Sequence, residues 1–105
     1  MMRGEIWWAH LPKPAGKRPV VLLSRDEAYL VRELITVAPV TTRIRGIPVE
    51  VLLGKREKLP QPCVANLDII TTIPKRLLAV RISQLSPEKM TELDAAIKFA
   101  LGLDD

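Results

Sequence analysis

The chain has 105 residues, of which 48% are hydrophobic, enough for one domain with a modest core. No apolar run approaches the roughly 18 residues that span a bilayer, and no secretory signal is visible. The single cysteine, Cys63, excludes an internal disulfide, and no Cys/His cluster has metal-site spacing. We therefore expect one domain over residues 1–105, cytoplasmic and without a structural metal.

Positive charge is concentrated in the first four-fifths of the chain. Residues 1–85 carry 14 Lys and Arg against 7 Asp and Glu, whereas residues 86–105 carry 2 against 5. The net charge is +4. A basic body with an acidic end favours a polyanionic partner. A basic surface without a specific role is the alternative.

Two adjacent tryptophans lie in the first predicted strand, residues 5–9. Trp7 and Trp8 must point to opposite faces of such a strand. One is then expected in the core and the other partly exposed, although core filling is favoured for both. An exposed tryptophan could stack on a base or cover a subunit interface.

A cationic pair precedes the second predicted strand, residues 20–24. This continuous apolar run is typical of a strand buried on both faces. Directly before it, Pro19 biases Arg18 toward an extended backbone at the edge of the sheet. A guanidinium there suits bidentate contact with phosphate, although the spacing alone favours an ordinary solvated loop.

His10, the only histidine, opens the loop between these strands. Imidazole titrates near neutral pH, which makes His10 a candidate acid or base. A lone histidine without a partner is more often uninvolved in catalysis.

A short helix and a third strand follow. Ser24 as N-cap with Glu27 three residues later predicts the start of the helix. Residues 34–40 form the predicted strand, in which Pro39 indicates an edge or a bulge.

Two hydroxyls and two arginines follow this strand. If the segment stays extended, Arg43 and Arg45 face the same side and could hold phosphates. Thr41 and Thr42 could add hydrogen bonds. The alternatives are a plain strand end and solvated arginines.

Four further strands are predicted at residues 49–53, 63–65, 69–73 and 78–82. The C-terminal helix has Ser86 as N-cap, Pro87 at its first position and Gly102 as its stop. Its apolar positions follow a helical spacing and predict a packing stripe: Met90, Leu93, Ala96, Ile97, Ala100 and Leu101. Short strands with one long helix predict a compact, bent antiparallel barrel that the helix closes.

Several stretches together resemble the MazF/PemK family of toxins from toxin–antitoxin pairs. They are RGEIWWAHLP, GKRPVVLLSRD, ITVAPVTTRIRGIPVEVLL, CVANLDIITTIPKRLL and ISQLSPEKMTELDAAIKFALGL, in family order over nearly the whole chain. The resemblance implies a mainly β fold, a small SH3-like antiparallel barrel with a C-terminal packing helix.

The resemblance also implies an activity and partners. The activity is that of an mRNA interferase, a metal-independent and sequence-specific endoribonuclease that cleaves single-stranded RNA. Cleavage leaves a 2′,3′-cyclic phosphate and a 5′-hydroxyl, and it inhibits growth. No cofactor is implied. The partners are a cognate antitoxin and a second copy of the chain, with DNA reached only through the antitoxin and no membrane.

Carried over by position, the family's catalytic arginine falls on Arg18 and its strand-closing hydroxyl on Thr41. The expected RNA-binding residues around them are Lys17, Thr42, Arg43, Arg45, Trp8, Asn66 and Asp68. The chain departs from the family pattern near Asp68, with Ile69 and Thr71 where many members have Gln and Arg. It also has Asn66 where some members have Arg, and His10 where Asp is usual.

Two other function classes remain open from the residues. A CcdB-like toxin shares this fold but grips a protein such as a gyrase, and a passive barrel would only bind nucleic acid. The pairing of Arg18 with Thr41 favours the nuclease, because protein binding does not require it.

Overall fold

The computed structural model describes residues 1–103, which form seven strands, two α-helices and three short 3₁₀ turns. The strands are β1 (Glu5–His10), β2 (Lys17–Leu22), β3 (Leu34–Thr41), β4 (Glu50–Leu53), β5 (Cys63–Asn66), β6 (Thr71–Pro74) and β7 (Leu78–Gln84). The helices are α1 (Ala28–Val31) and α2 (Pro87–Leu101), and the 3₁₀ turns are Lys55–Glu57, Leu67–Ile69 and Lys75–Leu77. No helix in residues 1–103 is long and apolar enough to cross a membrane.

All strand pairs are antiparallel, and the strands follow the spatial order β4-β5-β3-β2-β1-β7, with β6 paired to β3 as well. The predicted bent antiparallel sheet with a C-terminal helix is confirmed. Two register shifts interrupt the pairing of β1 with β7. Such irregularities strengthen the local twist and help a sheet to curl.

Strand β3 changes partners at Pro39. Its first half pairs with β6 up to Val37, and its end pairs with β5 from Val40 onward. Proline has no N–H to donate, so it fits the gap between two partner strands. The predicted edge at Pro39 is therefore wrong: β3 is a central strand, and in place of an edge or a bulge Pro39 lies where the partner of β3 changes from β6 to β5.

Strand β2 is buried on both faces, as predicted from its apolar run. Val20, Val21 and Leu22 are each 0% exposed. Val21 belongs to the larger core cluster, together with Leu93 of α2, whereas Val20 and Leu22 belong to a second cluster. Lys17 and Arg18 are the first two residues of this strand, so the buried part of β2 follows them almost directly.

Helix α2 has the predicted caps. The Ser86 hydroxyl accepts a hydrogen bond from the Lys89 N–H at 3.2 Å, and Gly102 ends the helix at φ +69°. Leu93 and Ala96 are buried in the larger core cluster. Leu101, predicted in the packing stripe, is 58% exposed and so does not belong to the buried face.

The predicted N-cap at Ser24 is wrong. Helix α1 begins at Ala28 and has no side-chain cap. The Ser24 hydroxyl instead accepts a hydrogen bond from the backbone N–H of Thr36 at 2.8 Å. Since Thr36 belongs to β3, a contact distant in sequence takes the group that local spacing assigned to the helix.

The predicted strand at residues 69–73 is also displaced. Residues Leu67–Ile69 form a 3₁₀ turn, and β6 begins only at Thr71. The Asn66 side-chain oxygen accepts a hydrogen bond from the Asp68 N–H at 2.9 Å and so stabilises the turn. Asparagine competes with strand pairing in this way.

Candidate active site

The sheet register brings Arg18 and Thr41 together. Strands β2 and β3 pair Val20 with Pro39, Val21 with Ala38 and Leu22 with Val37. Arg18 lies two residues before Val20 on β2, and Thr41 lies two residues after Pro39 on β3, so both residues are at the same end of the paired strands. The antiparallel pairing thereby places two residues 23 positions apart in the sequence close enough to line one pocket.

Both side chains line one open pocket of about 270 Å³. Its lining combines cationic, hydroxyl, amide and apolar groups, namely Trp8, Lys17, Arg18, Pro19, Val40, Thr41, Thr42, Leu59, Pro60, Gln61 and Cys63. Four of the sequence-predicted RNA-binding and catalytic positions around Arg18 therefore meet here: Lys17, Thr41, Thr42 and Trp8.

The Arg18 guanidinium is half-buried and held in place by the preceding loop. Its Nε donates to the carbonyl oxygen of Ala15 at 3.2 Å. Within residues 1–103 the Arg18 side chain makes no other hydrogen bond, so both Nη groups are available. A guanidinium presented in this way can donate two parallel hydrogen bonds to a phosphate.

The Thr41 hydroxyl is oriented by the turn that follows β3. Its Oγ1 accepts a hydrogen bond from the Arg43 backbone N–H at 3.2 Å. Because that bond uses an oxygen lone pair, the hydroxyl proton remains free to be donated. The site thus offers a neutral donor beside a cationic one.

Lys17 and Trp8 form the side of the pocket next to Arg18. The Lys17 Nζ lies 5.3 Å from the centroid of the Trp8 ring, a distance typical of a cation–π contact. Trp8 is half-buried. The expected core filling by both tryptophans therefore holds for Trp7, which packs on the second core cluster, but not for Trp8.

The two arginines after Thr41 have different surroundings. Residues 43–47 form no strand, so the condition for a shared face is not met. Arg43 is exposed beside Thr41. Arg45 lies 3.8 Å from the Glu50 carboxylate, which also accepts hydrogen bonds from the backbone N–H groups of Arg45 and Gly46. Arg45 is therefore partly neutralised.

Three further predicted residues lie outside the pocket lining drawn from residues 1–103. Asn66 is 3% exposed and supports the 3₁₀ turn through its side chain, which argues against the predicted direct contact with RNA. Asp68 is exposed on that turn. His10 is exposed at the end of β1, where its backbone pairs with Lys17.

Sequence reasoning missed the segment from Leu59 to Cys63, which forms one wall of the pocket. Gln61 supplies an exposed amide there, and the flanking prolines were the available signal, since they restrict the loop. Burial raises the pKa of the Cys63 thiol, and the Glu57 carboxylate raises it further. The thiol therefore stays protonated at neutral pH and is a poor nucleophile.

The fold and the pocket define a small curled β-sheet protein with a cationic cleft. Residues 2–101 match the model of the PemK-like, MazF-like toxins of type II toxin–antitoxin systems. The chain belongs to this family, and the predicted membership is confirmed.

Individual relatives agree over almost the full chain. The chain is 36% identical over 100 residues to the probable endoribonuclease MazF5 of Mycobacterium tuberculosis, covering 94% of this chain and 91% of the relative. Its structure is similar to the Mycobacterium tuberculosis toxin MazF-mt6, with a TM-score of 0.89, 35% identity and coverage of 96% and 99%. A mycobacterial endoribonuclease in complex with its cognate antitoxin has a TM-score of 0.87, 26% identity and coverage of 100% and 98%. These likenesses confirm the predicted barrel fold.

Proposed function

We propose that this single-domain chain is the toxin of a type II toxin–antitoxin pair and cleaves single-stranded RNA without a metal ion. The observation that carries the proposal is the meeting of Arg18 and Thr41 in one cationic pocket. The name endoribonuclease borne by its relatives supports this enzyme class over gyrase binding or passive nucleic-acid binding.

The reaction uses a nucleophile that RNA itself carries. The 2′-hydroxyl loses its proton and attacks the adjacent phosphorus, and the bond from phosphorus to the 5′-oxygen breaks. The leaving oxygen takes up a proton, which gives a 2′,3′-cyclic phosphate and a 5′-hydroxyl. Holding the three reacting atoms in line and stabilising the phosphate charge supply most of the catalysis.

Arg18 and Thr41 suit these two tasks. The free Nη groups of Arg18 bind the non-bridging phosphate oxygens, where charge grows in the transition state. The Thr41 hydroxyl donates to the same phosphate or orients the 2′-hydroxyl. His10 remains a candidate acid or base on the rim, next to Lys17 in the sheet register.

Flanking nucleotides require further contacts. Lys17 and Thr42 line the pocket, and the exposed Arg43 follows Thr42 in the sequence. These residues provide charge and hydrogen bonds for neighbouring phosphates. Arg45 contributes less, since Glu50 already compensates part of its charge. Asp68, on the 3₁₀ turn Leu67–Ile69, stays a predicted contact.

The proposed protein partners are a cognate antitoxin, which blocks the RNA cleft, and a second copy of the chain in a homodimer. Large exposed apolar side chains on α1 and at the start of β3 support contacts of this kind, with Leu30 86%, Val31 64% and Leu34 58% exposed. DNA is reached only through the antitoxin, no membrane is involved, and the toxin acts in the cytoplasm, where it meets its RNA.

The test is incubation of the purified protein with single-stranded RNA of broad sequence coverage in the presence of EDTA. New fragments ending in 2′,3′-cyclic phosphate are expected. Arg18→Ala should lower the cleavage rate by about 100- to 1000-fold, the usual effect of removing one transition-state donor. Arg18→Lys should restore only part of it, because an ammonium cannot form the bidentate contact.

Arg76→Ala is the matched control. Arg76 is an exposed arginine in the 3₁₀ turn Lys75–Leu77, outside the pocket, and its loss changes the net charge equally. It should leave the rate unchanged. Intact RNA with the folded wild-type protein, or equal losses in the Arg18 and Arg76 variants, would contradict the proposal.

A further inference from the structure

Trp8, the aromatic residue of the pocket, already makes a cation–π contact with Lys17. Trp8 extends from β1 beside Pro19, its partner in the register, and its ring faces the Lys17 ammonium at 5.3 Å. Both residues line the cavity that contains Arg18 and Thr41. A flat ring in the same pocket as the proposed phosphate-binding pair provides a surface on which a base can stack.

The neighbouring Trp7 has different contacts from Trp8. The Trp7 indole Nε1 donates to the Glu5 carboxylate at 2.9 Å, and its ring packs on the second core cluster. The Trp8 indole N–H makes no hydrogen bond within residues 1–103 and is not shut away from water there. The indole N–H of Trp8 is therefore available to a ligand, and the side chain is part of the pocket lining.

We infer that Trp8 stacks on the unpaired base next to the cleaved bond, and that Lys17 covers the ring until RNA arrives. This inference rests on the proposed ribonuclease function. When RNA binds, the base takes the ring face and the Lys17 ammonium moves to a phosphate of the same nucleotide.

Both exchanges are favourable. An exposed cation–π contact is weaker than base–aromatic stacking. The displaced ammonium gains a charge-assisted contact with a phosphate in place of a ring.

The first test measures Trp8 directly. The chain has two tryptophans, so Trp7→Phe leaves Trp8 as the only one. This variant is titrated with RNA in which the attacking 2′-hydroxyl is replaced by 2′-deoxy, so that binding is read without cleavage. Quenching of Trp8 fluorescence is expected. Two further analogues each lack one of the two bases that flank the cleaved bond, and one of these two removals should abolish the quenching. Unchanged fluorescence with both flanking bases present at saturation would overturn the inference.

The second test couples the residue to the base. Trp8→Ala should weaken binding of the intact RNA by about 5- to 150-fold, the loss usual for one stacked base. It should have no further effect once the RNA lacks that base. Trp8→Phe should restore most of the affinity, and thermal unfolding confirms that both variants fold. Equal losses on intact and abasic RNA would show a structural role only.

Lys17→Met separates the exchange from the stacking, since it keeps the length of the side chain and removes the charge. Quenching should persist, while the slope of log affinity against log salt falls by about one contact. An unchanged slope would contradict the inferred movement of the Lys17 ammonium from the Trp8 ring to a phosphate. If the wild-type protein binds the analogue with quenching but cuts no RNA, the proposed function fails and the stacking site stands.

Discussion

At the residue scale, the site is defined by which atoms are already occupied. The Arg18 Nε donates a hydrogen bond to the Ala15 carbonyl, and both Nη groups remain free within residues 1–103. The Thr41 hydroxyl accepts a hydrogen bond from the Arg43 N–H, and its proton remains available for donation. Each side chain is thus fixed by a bond to the backbone and keeps free donors at the pocket, which is the preorganisation that the proposed stabilisation of the transition state requires.

The Thr41 proton gives a first prediction. Thr41→Val keeps the shape and removes the hydroxyl, so the single-turnover cleavage rate should fall by about 100- to 1000-fold. Thr41→Ser should keep most of the rate, because the hydroxyl remains.

Thr72→Val controls for the loss of a hydroxyl from an exposed strand position in β6 and should have no effect. A Thr41→Val enzyme as fast as the Thr72→Val enzyme would exclude the hydroxyl from catalysis.

At the element scale, the Glu5 carboxylate fastens β1 to β7. It accepts hydrogen bonds from Trp7 Nε1 at 2.9 Å, Arg81 Nε at 2.9 Å and the Met2 N–H at 3.1 Å. Burial alone would raise the pKa of Glu5, but these three donors, together with the positive charge of the N-terminus, outweigh it and the pKa is lowered. The bonds hold β7 to the strand that carries Trp8.

A lowered pKa in the folded state ties stability to pH. The contribution of Glu5 is present above the ordinary pKa of 4.5 and is lost as the pH falls through the lower folded value. Glu5→Gln should therefore reduce the free energy of unfolding by about 1–2 kcal/mol at pH 7. The difference from wild type should shrink below about pH 4.5.

Urea unfolding from pH 7 to pH 3 measures both curves. The control is Glu33→Gln, whose exposed carboxylate makes no hydrogen bond within residues 1–103. If the Glu5→Gln curve ran parallel to wild type over the whole range, the folded carboxylate would not be stabilised as described.

At the scale of the whole molecule, charge and shape act together. The basic residues 1–85 contain the pocket, and the acidic residues 86–105 include α2, which packs on the larger core cluster. A polyanion is thereby attracted to the body of the protein.

Binding of RNA should therefore weaken steeply with salt, because each neutralised phosphate releases counterions. With about three phosphate contacts, the slope of log affinity against log salt should be about −2 for a single strand. Fluorescence anisotropy with the 2′-deoxy analogue between low and high NaCl measures it. Affinity that does not change with salt would rule out the cationic cleft as the binding surface.

Local sequence determined the elements whose signals do not depend on distant partners. The apolar run Val20 to Leu22 made a strand buried on both faces, and Ser86 and Gly102 bounded α2. The family motifs also pointed to Arg18 and Thr41, which line one pocket. These signals succeed because capping, burial and backbone restriction act within a few residues.

Only the tertiary structure decided where competing groups went. Ser24 bonded to Thr36 rather than to its own helix, and Glu50 took part of the charge of Arg45. The wall from Leu59 to Cys63 reached the pocket through strand pairing of β5 with β3. Such outcomes depend on which distant atoms the folded sheet brings within hydrogen-bonding or ion-pairing distance, and that information is not contained in the spacing along one segment.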